Sequence, residues 1–349
     1  MEGYLMKNLV VINVIPSGIG GIQTYGKTLE GKLNEEGVIV ERIETYKVDR
    51  TKNLTSEILK KITRFFVNFV ELSKVIKEYQ KKGHKIILHA HIGKGVSFWE
   101  NSAYCLWVKI LGIPFIFHIH SSLLHVEFRQ SSEIIKGIRR YILSEASKII
   151  ALSGYWKRQL LQIDGLQSEK VVVVYNFIDI ERFKGYNKLE CRKKLGLPLD
   201  KKIIVSIGRL EPEKGLEYLI EAVSMIVKNR NDILCVIIGD GTLKEHLERY
   251  TQSLGLKSYI KFVGLRPPEE IPIWLTAADI LVLPSLRESF GIVQIEAMAC
   301  GRPVIASKNG ASEKIIISDE YGLLSEPANP EDLMERILEG LEKNGMSIK

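Results

Sequence analysis

The chain has 349 residues, of which 45% are hydrophobic and 26% are charged. This composition excludes a disordered protein, and the length predicts two domains that need neither disulfides nor a structural metal. The formal net charge of +7 is distributed along the chain, so it suits an anionic ligand or surface but is not the footprint of a nucleic-acid-binding protein.

The predicted elements alternate between short β-branched segments and helical patterns along the whole chain. No signal-peptide pattern precedes the first strand, and no apolar stretch reaches the roughly 20 residues that span a bilayer. Several strands are apolar throughout, as in parallel strands that helices cover on both faces. The predicted strands are 9–14, 38–43, 86–91, 115–119, 148–152, 171–175, 203–207, 234–238, 260–263, 280–283 and 304–306. This alternation predicts α/β architecture with two Rossmann-like, doubly wound parallel sheets of about six strands each.

The boundary between the two domains is expected in the charged, glycine-containing and proline-containing stretch 179–202. We assign residues 1–180 to an N-terminal domain and residues 181–330 to a C-terminal domain. Residues 331–349 are expected to form a C-terminal helix, for which we consider packing back on the N-terminal domain. Ligands of open α/β sheets bind outside the carboxyl ends of strands, so the cleft between the sheets is the expected place for a two-substrate site.

The segment 57–82 combines apolar residues at helical spacing with seven lysines and arginines. One interpretation is a helix packed on the core with a solvated basic face. The other is a basic amphipathic surface that docks on anionic lipid.

The turn after the first strand contains Gly20 and Gly21, which allow the backbone to approach a ligand at the start of a helix. A dinucleotide fingerprint would place a further glycine where this chain has Gln23, so an NAD site is not expected.

The turn after the first strand of the second half carries two cations, Arg209 and Lys214. Two cations beside a helix N-terminus suit a diphosphate, which an arginine can bind with two hydrogen bonds. The alternative is a pair of solvated surface cations. Gly239, Gly241 and Gly264 follow other strands of this half and place backbone at the same edge of the sheet.

The densest group of candidate ligands spans residues 284–296. A predicted strand ends at Pro284, a loop carries Glu288, and Glu296 lies inside the helix that follows. Glu288 offers a carboxylate to sugar hydroxyls, and Glu296 offers one to two hydroxyls of a ribose. The exposed amides at the start of this helix are expected to point at an anion. These amides belong to Ser289, Phe290 and Gly291.

These motifs resemble, over nearly the whole chain, those of the retaining glycosyltransferases of family 4, which have the GT-B fold of two Rossmann-like domains. The most specific part is the run from Glu296 to Val304, followed by Gly208-Arg-Leu with Lys214-Gly215. The other matching residues are Gly20-Gly21-Ile22, His120, Asn176-Phe-Ile-Asp179, Gly239-Asp-Gly241 and Glu288.

The resemblance implies that Arg209 and Lys214 bind the diphosphate of a sugar donor and that Glu288 contacts the transferred sugar. It also implies that Glu296 holds the ribose and that His120 lies by the sugar. The N-terminal domain is then the acceptor side and the C-terminal domain the donor side. The implied catalytic residues are His120, Glu288, Arg209 and Lys214. The implied donor-binding residues are Gly20, Gly21, Arg209, Lys214, Gly264, Glu288, Ser289, Phe290, Gly291 and Glu296.

No metal and no other cofactor is expected. Aspartates two residues apart, the pattern with which other transferases hold a metal, are absent from the sequence. Positive side chains and a helix N-terminus would then stabilise the charge that the leaving diphosphate gains. The resemblance implies retention of the anomeric configuration.

The predicted function is transfer of a hexose-type sugar from a nucleotide-diphosphate sugar to a glycan or lipid-linked acceptor, in cell-surface polysaccharide or glycolipid synthesis. Expected partners are the nucleotide-sugar donor and that acceptor, with peripheral contact with an anionic membrane as a hypothesis and no nucleic acid. The four scattered cysteines suit reduced core thiols in a cytoplasmic protein, which would meet the membrane at its inner face.

Three alternatives remain open from the sequence. The same fold could serve a nucleotide-sugar epimerase or a phosphorylase, or a non-catalytic binder of sugar nucleotides. A metal hydrolase is conceivable because two histidine pairs share strand faces, although no nearby carboxylate completes a ligand pattern. These histidines are His89, His91, His118 and His120.

Overall fold

The computed structural model describes residues 8–18, 20–46, 54–93 and 95–342. The chain divides into two compact units, Met1–Asn176 and Phe177–Lys349. Our predicted boundary, between residues 180 and 181, lies four residues after the observed one. The described residues of each unit contain one six-stranded parallel sheet with flanking helices, which confirms the predicted fold class.

The sheet of the first unit has the strand order β2-β1-β3-β4-β5-β6. Its strands are β1 (Leu9–Pro16), β2 (Ile39–Thr45), β3 (Lys85–Ile92), β4 (Phe115–Ile119), β5 (Lys148–Ala151) and β6 (Val171–Val173). Its helices are α1 (Gly21–Glu35), α2 (Leu54–Lys81), α3 (Val96–Ile110), α4 (Leu124–Arg129), α5 (Glu133–Glu145) and α6 (Gly154–Leu160). The strand order reverses between β1 and β3, and such a switch point is where open α/β sheets bind ligands.

The sheet of the second unit has the strand order β12-β11-β10-β7-β8-β9. Its strands are β7 (Lys202–Ile207), β8 (Ile233–Ile238), β9 (Ile260–Gly264), β10 (Ile280–Leu283), β11 (Val304–Ser307) and β12 (Gly322–Ser325). Its helices are α7 (Lys188–Leu195), α8 (Leu216–Ile226), α9 (Lys244–Ser253), α10 (Ile271–Ala277), α11 (Ile292–Ala299) and α12 (Pro330–Glu342). The strand order reverses here between β7 and β10, so a ligand is expected at the carboxyl ends of these two strands.

The second sheet is covered on both faces, as its apolar strands predict. Ile204 and Val282 face one buried cluster, whereas the neighbouring residues Val205 and Leu283 face another. Alternate residues of a strand point to opposite faces, so each strand supplies both cores and needs few polar positions.

Helix α2 contains most of the amphipathic segment and has two different halves. In its C-terminal half, Leu72 and Ile76 are fully buried in the core of the first unit. In its N-terminal half, Leu59 is 64% exposed and Phe66 is 63% exposed. The packed helix of the first interpretation is therefore present, together with an exposed apolar strip that it did not include. None of the described helices combines the length and apolar character needed to cross a membrane.

The last described helix, α12, packs within the second unit. Leu333, Ile337 and Leu341 of α12 belong to the core of the second unit, and this helix packs on α8 and on β12. Its apolar face is therefore used within the second unit. Packing of residues 331–349 back on the N-terminal domain stays a prediction. Residues 343–349 of the predicted helix lie outside the described residues. Strand β12, which borders this helix, was not predicted.

Candidate functional site

The switch point of the second sheet brings two loops together. The loop after β7 carries Arg209 and Lys214, and the loop after β10 begins at Pro284. A pocket at this edge is lined by Gly208, Arg209, Lys214 and Pro284 among others. The two cations predicted to bind a diphosphate therefore share one pocket, and they lie where the topology predicts a ligand.

Backbone hydrogen bonds join the two loops. The amide of Leu286 donates to the carbonyl of Glu213 at 3.0 Å, and the amide of Arg287 donates to the same oxygen at 3.3 Å. Gly215 lies at the contact, since a Cβ built on it would be 2.3 Å from the carbonyl oxygen of Pro284. Glycine is required for this approach, and it holds the loop of Lys214 against the loop of Glu288.

Lys214 and Glu288 form an ion pair across these loops. The ammonium of Lys214 donates to Oε2 of Glu288 at 2.5 Å, and the two side chains are 15% and 11% exposed. Ser285 donates from its hydroxyl to Oε2 at 3.5 Å, and the amide of Ser289 donates to Oε1 at 3.1 Å. A cation for phosphate and a carboxylate for hydroxyl groups are thus held side by side. The Ser289 amide, predicted to point at an anion, donates to Glu288 in this structure.

Arg209 differs from Lys214 in its exposure. Its side chain is 55% exposed, and its ion pair with Glu213 spans 3.4 Å. An exposed pair of this kind is worth less than about 1 kcal/mol, so a ligand phosphate could replace it readily. The guanidinium is therefore placed at the mouth of the pocket, with its planar set of donors accessible to an anion.

Gly239 and Gly241 allow the backbone after β8 to pack closely against the loop after β7. A Cβ built on Gly239 would lie 1.8 Å from the carbonyl oxygen of Gly208, and one on Gly241 would lie 2.4 Å from that of Leu210. The amide of Leu210 also donates to the carbonyl of Asp240 at 2.9 Å. These glycines act through the backbone that carries Arg209. Gly264 accepts the amide of Gly239 at 3.0 Å, so it supports the same edge.

Glu296 lies in α11, which begins after Gly291 in the left-handed conformation. The side chain of Glu296 is buried, and this burial raises its pKa to about 7, although the charge of Arg182 acts in the opposite direction. A carboxyl group with this pKa changes its charge near neutrality, which is common at functional sites. Phe290, just before the helix, is buried as well.

A third loop reaches the same edge. The side-chain amide of Asn309 donates to the carbonyl of Ser285 at 3.2 Å, and its oxygen accepts the amides of Ala311 and Ser312 at 3.1 Å each. Glu313 accepts the amides of this turn in addition. The loop after β11 is therefore fixed against the loop that carries Glu288.

In the first unit, the predicted residues gather at the other switch point. Gly20 and Gly21 follow β1 and begin α1, while His120 directly follows β4 and donates its amide to the carbonyl of Ile92 at 2.9 Å. The ring of Tyr25, from α1, lies 5.6 Å from the ring of His120.

Four histidines form one buried cluster here. Nε2 of His89 lies 3.2 Å from Nδ1 of His118, and Nδ1 of His91 lies 2.9 Å from Nε2 of His120. Burial lowers the pKa of His89 to about 4 and that of His120 to about 3. It also lowers the pKa of His91 and that of His118 well below the usual value. All four imidazoles are therefore neutral at neutral pH.

This cluster consists of the histidines for which a metal hydrolase was conceivable from the sequence. One ring nitrogen from each of His89, His91 and His118 lies within 4.8 Å of the others, and this group of three contains no carboxylate. Sequence reasoning missed two buried residues beside this cluster. Asn13, in β1, is hydrogen-bonded to His91, and Glu30, in α1, accepts a hydrogen bond from Asn13. The available signal was a polar residue within the apolar strand 9–14.

The chain resembles known proteins in family, sequence and structure. A family model described as Glycosyltransferase Family 4 matches residues 19–182, and one described as Glycosyl transferases group 1 matches residues 187–347. An uncharacterized glycosyltransferase of Methanocaldococcus jannaschii is 30% identical over 92% of this chain and 84% of its own length. The alpha-D-kanosaminyltransferase of Streptomyces kanamyceticus is 30% identical over 73% of this chain and 68% of its own length.

Among solved structures, Anabaena HepE in complex with UDP and glucose has a TM-score of 0.71 and 21% identity, over 97% of this chain and 91% of that one. The length shared with curated relatives varies. This chain spans 61% of another glycosyltransferase of Methanocaldococcus jannaschii and 44% of a D-inositol 3-phosphate glycosyltransferase of Streptomyces bingchenggensis.

Proposed function

Because this chain belongs to glycosyltransferase family 4, we propose that it transfers a hexose-type sugar from a nucleotide-diphosphate sugar, with retention of configuration. The acceptor is a glycan or a lipid-linked sugar, in the synthesis of a cell-surface polysaccharide or glycolipid. The observation that carries this proposal is the contact between Lys214 and Glu288 beside Arg209, at the switch point of the second sheet.

Charge supports the assignment of the diphosphate to Arg209 and Lys214. Breaking the bond between the sugar and the diphosphate leaves negative charge on the phosphate oxygens. Two fixed cations at the rim of a pocket stabilise that charge as it develops, without the reorganisation that water requires. Lys214 exchanges its Glu288 partner for phosphate when the donor binds, and Glu288 then accepts hydrogen bonds from sugar hydroxyls.

The same charges support catalysis without a metal, since two side chains do what a divalent cation does in other transferases. We test the function with a panel of nucleotide-diphosphate sugars, scored for binding and for slow hydrolysis, with and without a chelator. We expect saturable binding of at least one donor and hydrolysis that persists in the chelator. Conversion of a donor to its epimer, or activity that disappears in the chelator and returns with Mg²⁺, would contradict the proposal.

Glu296 is assigned to the ribose of the donor. Replacing it by alanine should weaken donor binding by about 1.5–3 kcal/mol, because two hydrogen bonds to a charged group are lost. Its pKa of about 7 adds a pH dependence. Ribose hydroxyls donate to the carboxylate and so favour its charged form, which means that affinity rises as the pH increases through about 7.

Isothermal titration over about pH 6 to pH 8 measures both effects. The matched variant is Glu296→Gln, which keeps the shape of the side chain and should remove the pH dependence. An affinity for donor that is unchanged in Glu296→Ala rules out the assignment.

We also propose that the N-terminal half of α2 contacts an anionic membrane. Leu59, Phe66 and Val70 are 64%, 63% and 57% exposed on one side of this helix. Lys60, which pairs with Glu57, and Arg64, which pairs with Glu71, lie on the same part of the helix and can exchange these partners for lipid phosphate. Apolar side chains that insert at the interface and cations that pair with lipid phosphate are the features of a surface-binding helix.

Flotation with vesicles tests this contact. The variant Leu59→Gln/Phe66→Gln should lose most of its binding to anionic vesicles, whereas wild type should float with anionic vesicles and much less with zwitterionic ones. Leu199→Gln is the control, since Leu199 is 51% exposed in the second unit. Equal flotation of wild type and the double variant would refute the membrane contact.

A further inference from the structure

A chain of hydrogen bonds runs through the first sheet from Arg42 to His120. The guanidinium of Arg42, in β2, donates from Nε to both carboxylate oxygens of Glu30 at 3.0 Å each. Asn13 donates from Nδ2 to Oε1 of Glu30 at 2.8 Å. Nε2 of His91 lies 2.7 Å from Oδ1 of Asn13, and Nδ1 of His91 lies 2.9 Å from Nε2 of His120.

The direction of this chain is set at its charged end. A carboxylate only accepts hydrogen bonds, so the Asn13 side chain must turn its NH₂ group towards Glu30 and its oxygen towards His91. An oxygen cannot donate, so His91 must carry its proton on Nε2. The neutral ring then has its lone pair on Nδ1, and His120 must supply the proton of the last hydrogen bond from its own Nε2.

Burial preserves the direction of these hydrogen bonds because it keeps water away from them. Asn13 and His91 are at most 1% exposed, and Glu30 and His120 are 7% and 8% exposed, so water competes little for these bonds. Burial also lowers the pKa of His91 and of His120, to about 3 for His120, which keeps both rings neutral. A neutral imidazole donates at one nitrogen and accepts at the other, so its tautomer decides what it offers to a ligand.

We propose that Glu30 is a positioning residue that fixes His91 and His120 as their Nε2–H tautomers through Asn13. Nδ1 of His120 is then an accepting nitrogen. Resting on the proposed function and on the place beside the sugar that the family resemblance implies for His120, this means that His120 accepts a hydrogen bond from a sugar hydroxyl and does not donate one. Arg42 holds Glu30 in place through its hydrogen bonds to both carboxylate oxygens.

Glu30→Gln is the variant that tests the direction, because it is nearly isosteric. Arg42 needs an acceptor, so the introduced glutamine turns its oxygen towards Arg42 and its NH₂ group towards Asn13. Asn13 then flips and donates to Nε2 of His91, and the protons of His91 and His120 move to Nδ1. The change reverses every hydrogen bond from the glutamine to His120 without removing one.

The readout is long-range ¹H–¹⁵N NMR of the ¹⁵N-histidine-labelled protein, which distinguishes the two tautomers at each ring. We expect Nε2–H forms at His91 and His120 in wild type and Nδ1–H forms in Glu30→Gln. Glu35→Gln, on the exposed side of the same helix, is the control and should match wild type.

A second variant provides a rescue. In Asn13→Asp/Glu30→Gln the carboxylate moves from position 30 to position 13, the next residue in the series of hydrogen bonds. The introduced aspartate accepts from both the introduced glutamine and His91, so the Nε2–H forms should return. A purely structural role for Glu30 would not predict this recovery. Unchanged tautomers in Glu30→Gln, or Nδ1–H forms in wild type, would overturn the proposal.

Turnover separates this proposal from the proposed function. If Glu30 has the positioning role and the protein transfers sugar, Glu30→Gln should lower turnover by about tenfold, the equivalent of one hydrogen bond. The double variant should then regain the turnover of wild type. If the tautomers reverse as expected while wild type transfers no sugar, the positioning role stands and the proposed function falls. If wild type transfers sugar and the tautomers do not reverse, the positioning role is wrong.

Discussion

Replacing Lys214 by methionine is expected to lower the rate of sugar transfer by about 10²–10³-fold, with a smaller effect on donor affinity. Methionine keeps the length and the apolar stem of the side chain but removes the charge. The ammonium group lies in the pocket at the switch point, 2.5 Å from Glu288. A cation there acts most strongly on the charge that develops as the diphosphate leaves, so the transition state loses more than the ground state does.

The effect of the Lys214 charge on the leaving diphosphate must be separated from the effect of its ion pair with Glu288. Removing Lys214 leaves a largely buried carboxylate unpaired, which could lower activity by destabilising the loop. In Lys214→Met/Glu288→Gln that unpaired charge is absent. We expect the double variant to remain at least as slow as Lys214→Met, and the exposed-site control Lys228→Met to behave as wild type. Recovery of the rate in the double variant would mean that Lys214 only balances the charge of Glu288.

Gly239→Ala is expected to lower the free energy of unfolding by about 3–5 kcal/mol. The added methyl group would lie 1.8 Å from the carbonyl oxygen of Gly208, and the backbone of Gly239 has a φ of +148°. The atoms it would meet belong to the backbone and not to a flexible side chain, so the backbone of β7 or β8 must move. Because the next residue after Gly208 is Arg209, donor binding should weaken as well.

Gly255→Ala is the matched control for this prediction. Gly255 also has a positive φ, of +70°, but a Cβ built on it meets nothing within 4 Å. It should therefore show only the cost of the left-handed conformation, about 1 kcal/mol. Urea denaturation of both variants measures the difference. Similar destabilisation of the two would show that the close approach of Gly208 and Gly239 contributes nothing.

The sequence predicted the regular parts of the fold well because parallel strands covered on both faces are apolar and β-branched. The predicted strand 115–119 coincides with β4, and 280–283 coincides with β10. Strand β12 was missed, since its four residues include only two that are strongly apolar and glycine begins it. The packing of α12 could not be predicted, because an amphipathic helix does not indicate which apolar surface will cover it.

The sequence predicted at which edge of the sheet the candidate residues lie, but not which of them contact one another. Loops after β7 and β10 carry the predicted cations and Glu288, and parallel topology brings these loops to one edge of the sheet. The pairing of Lys214 with Glu288 joins residues 74 positions apart, so no local pattern could indicate it. The same holds for Glu30 and Asn13, whose polar character is explained only when helix α1 lies on the sheet.

The central claim is that sugar leaves a nucleotide-diphosphate donor with its anomeric configuration retained. Time-resolved ¹H NMR of the wild-type protein, with the donor that binds and a chelator present, follows this reaction directly. The account predicts release of the nucleoside diphosphate together with a sugar product that first has the anomeric configuration of the donor. A first product of inverted configuration, or no cleavage of any donor that binds, would contradict it.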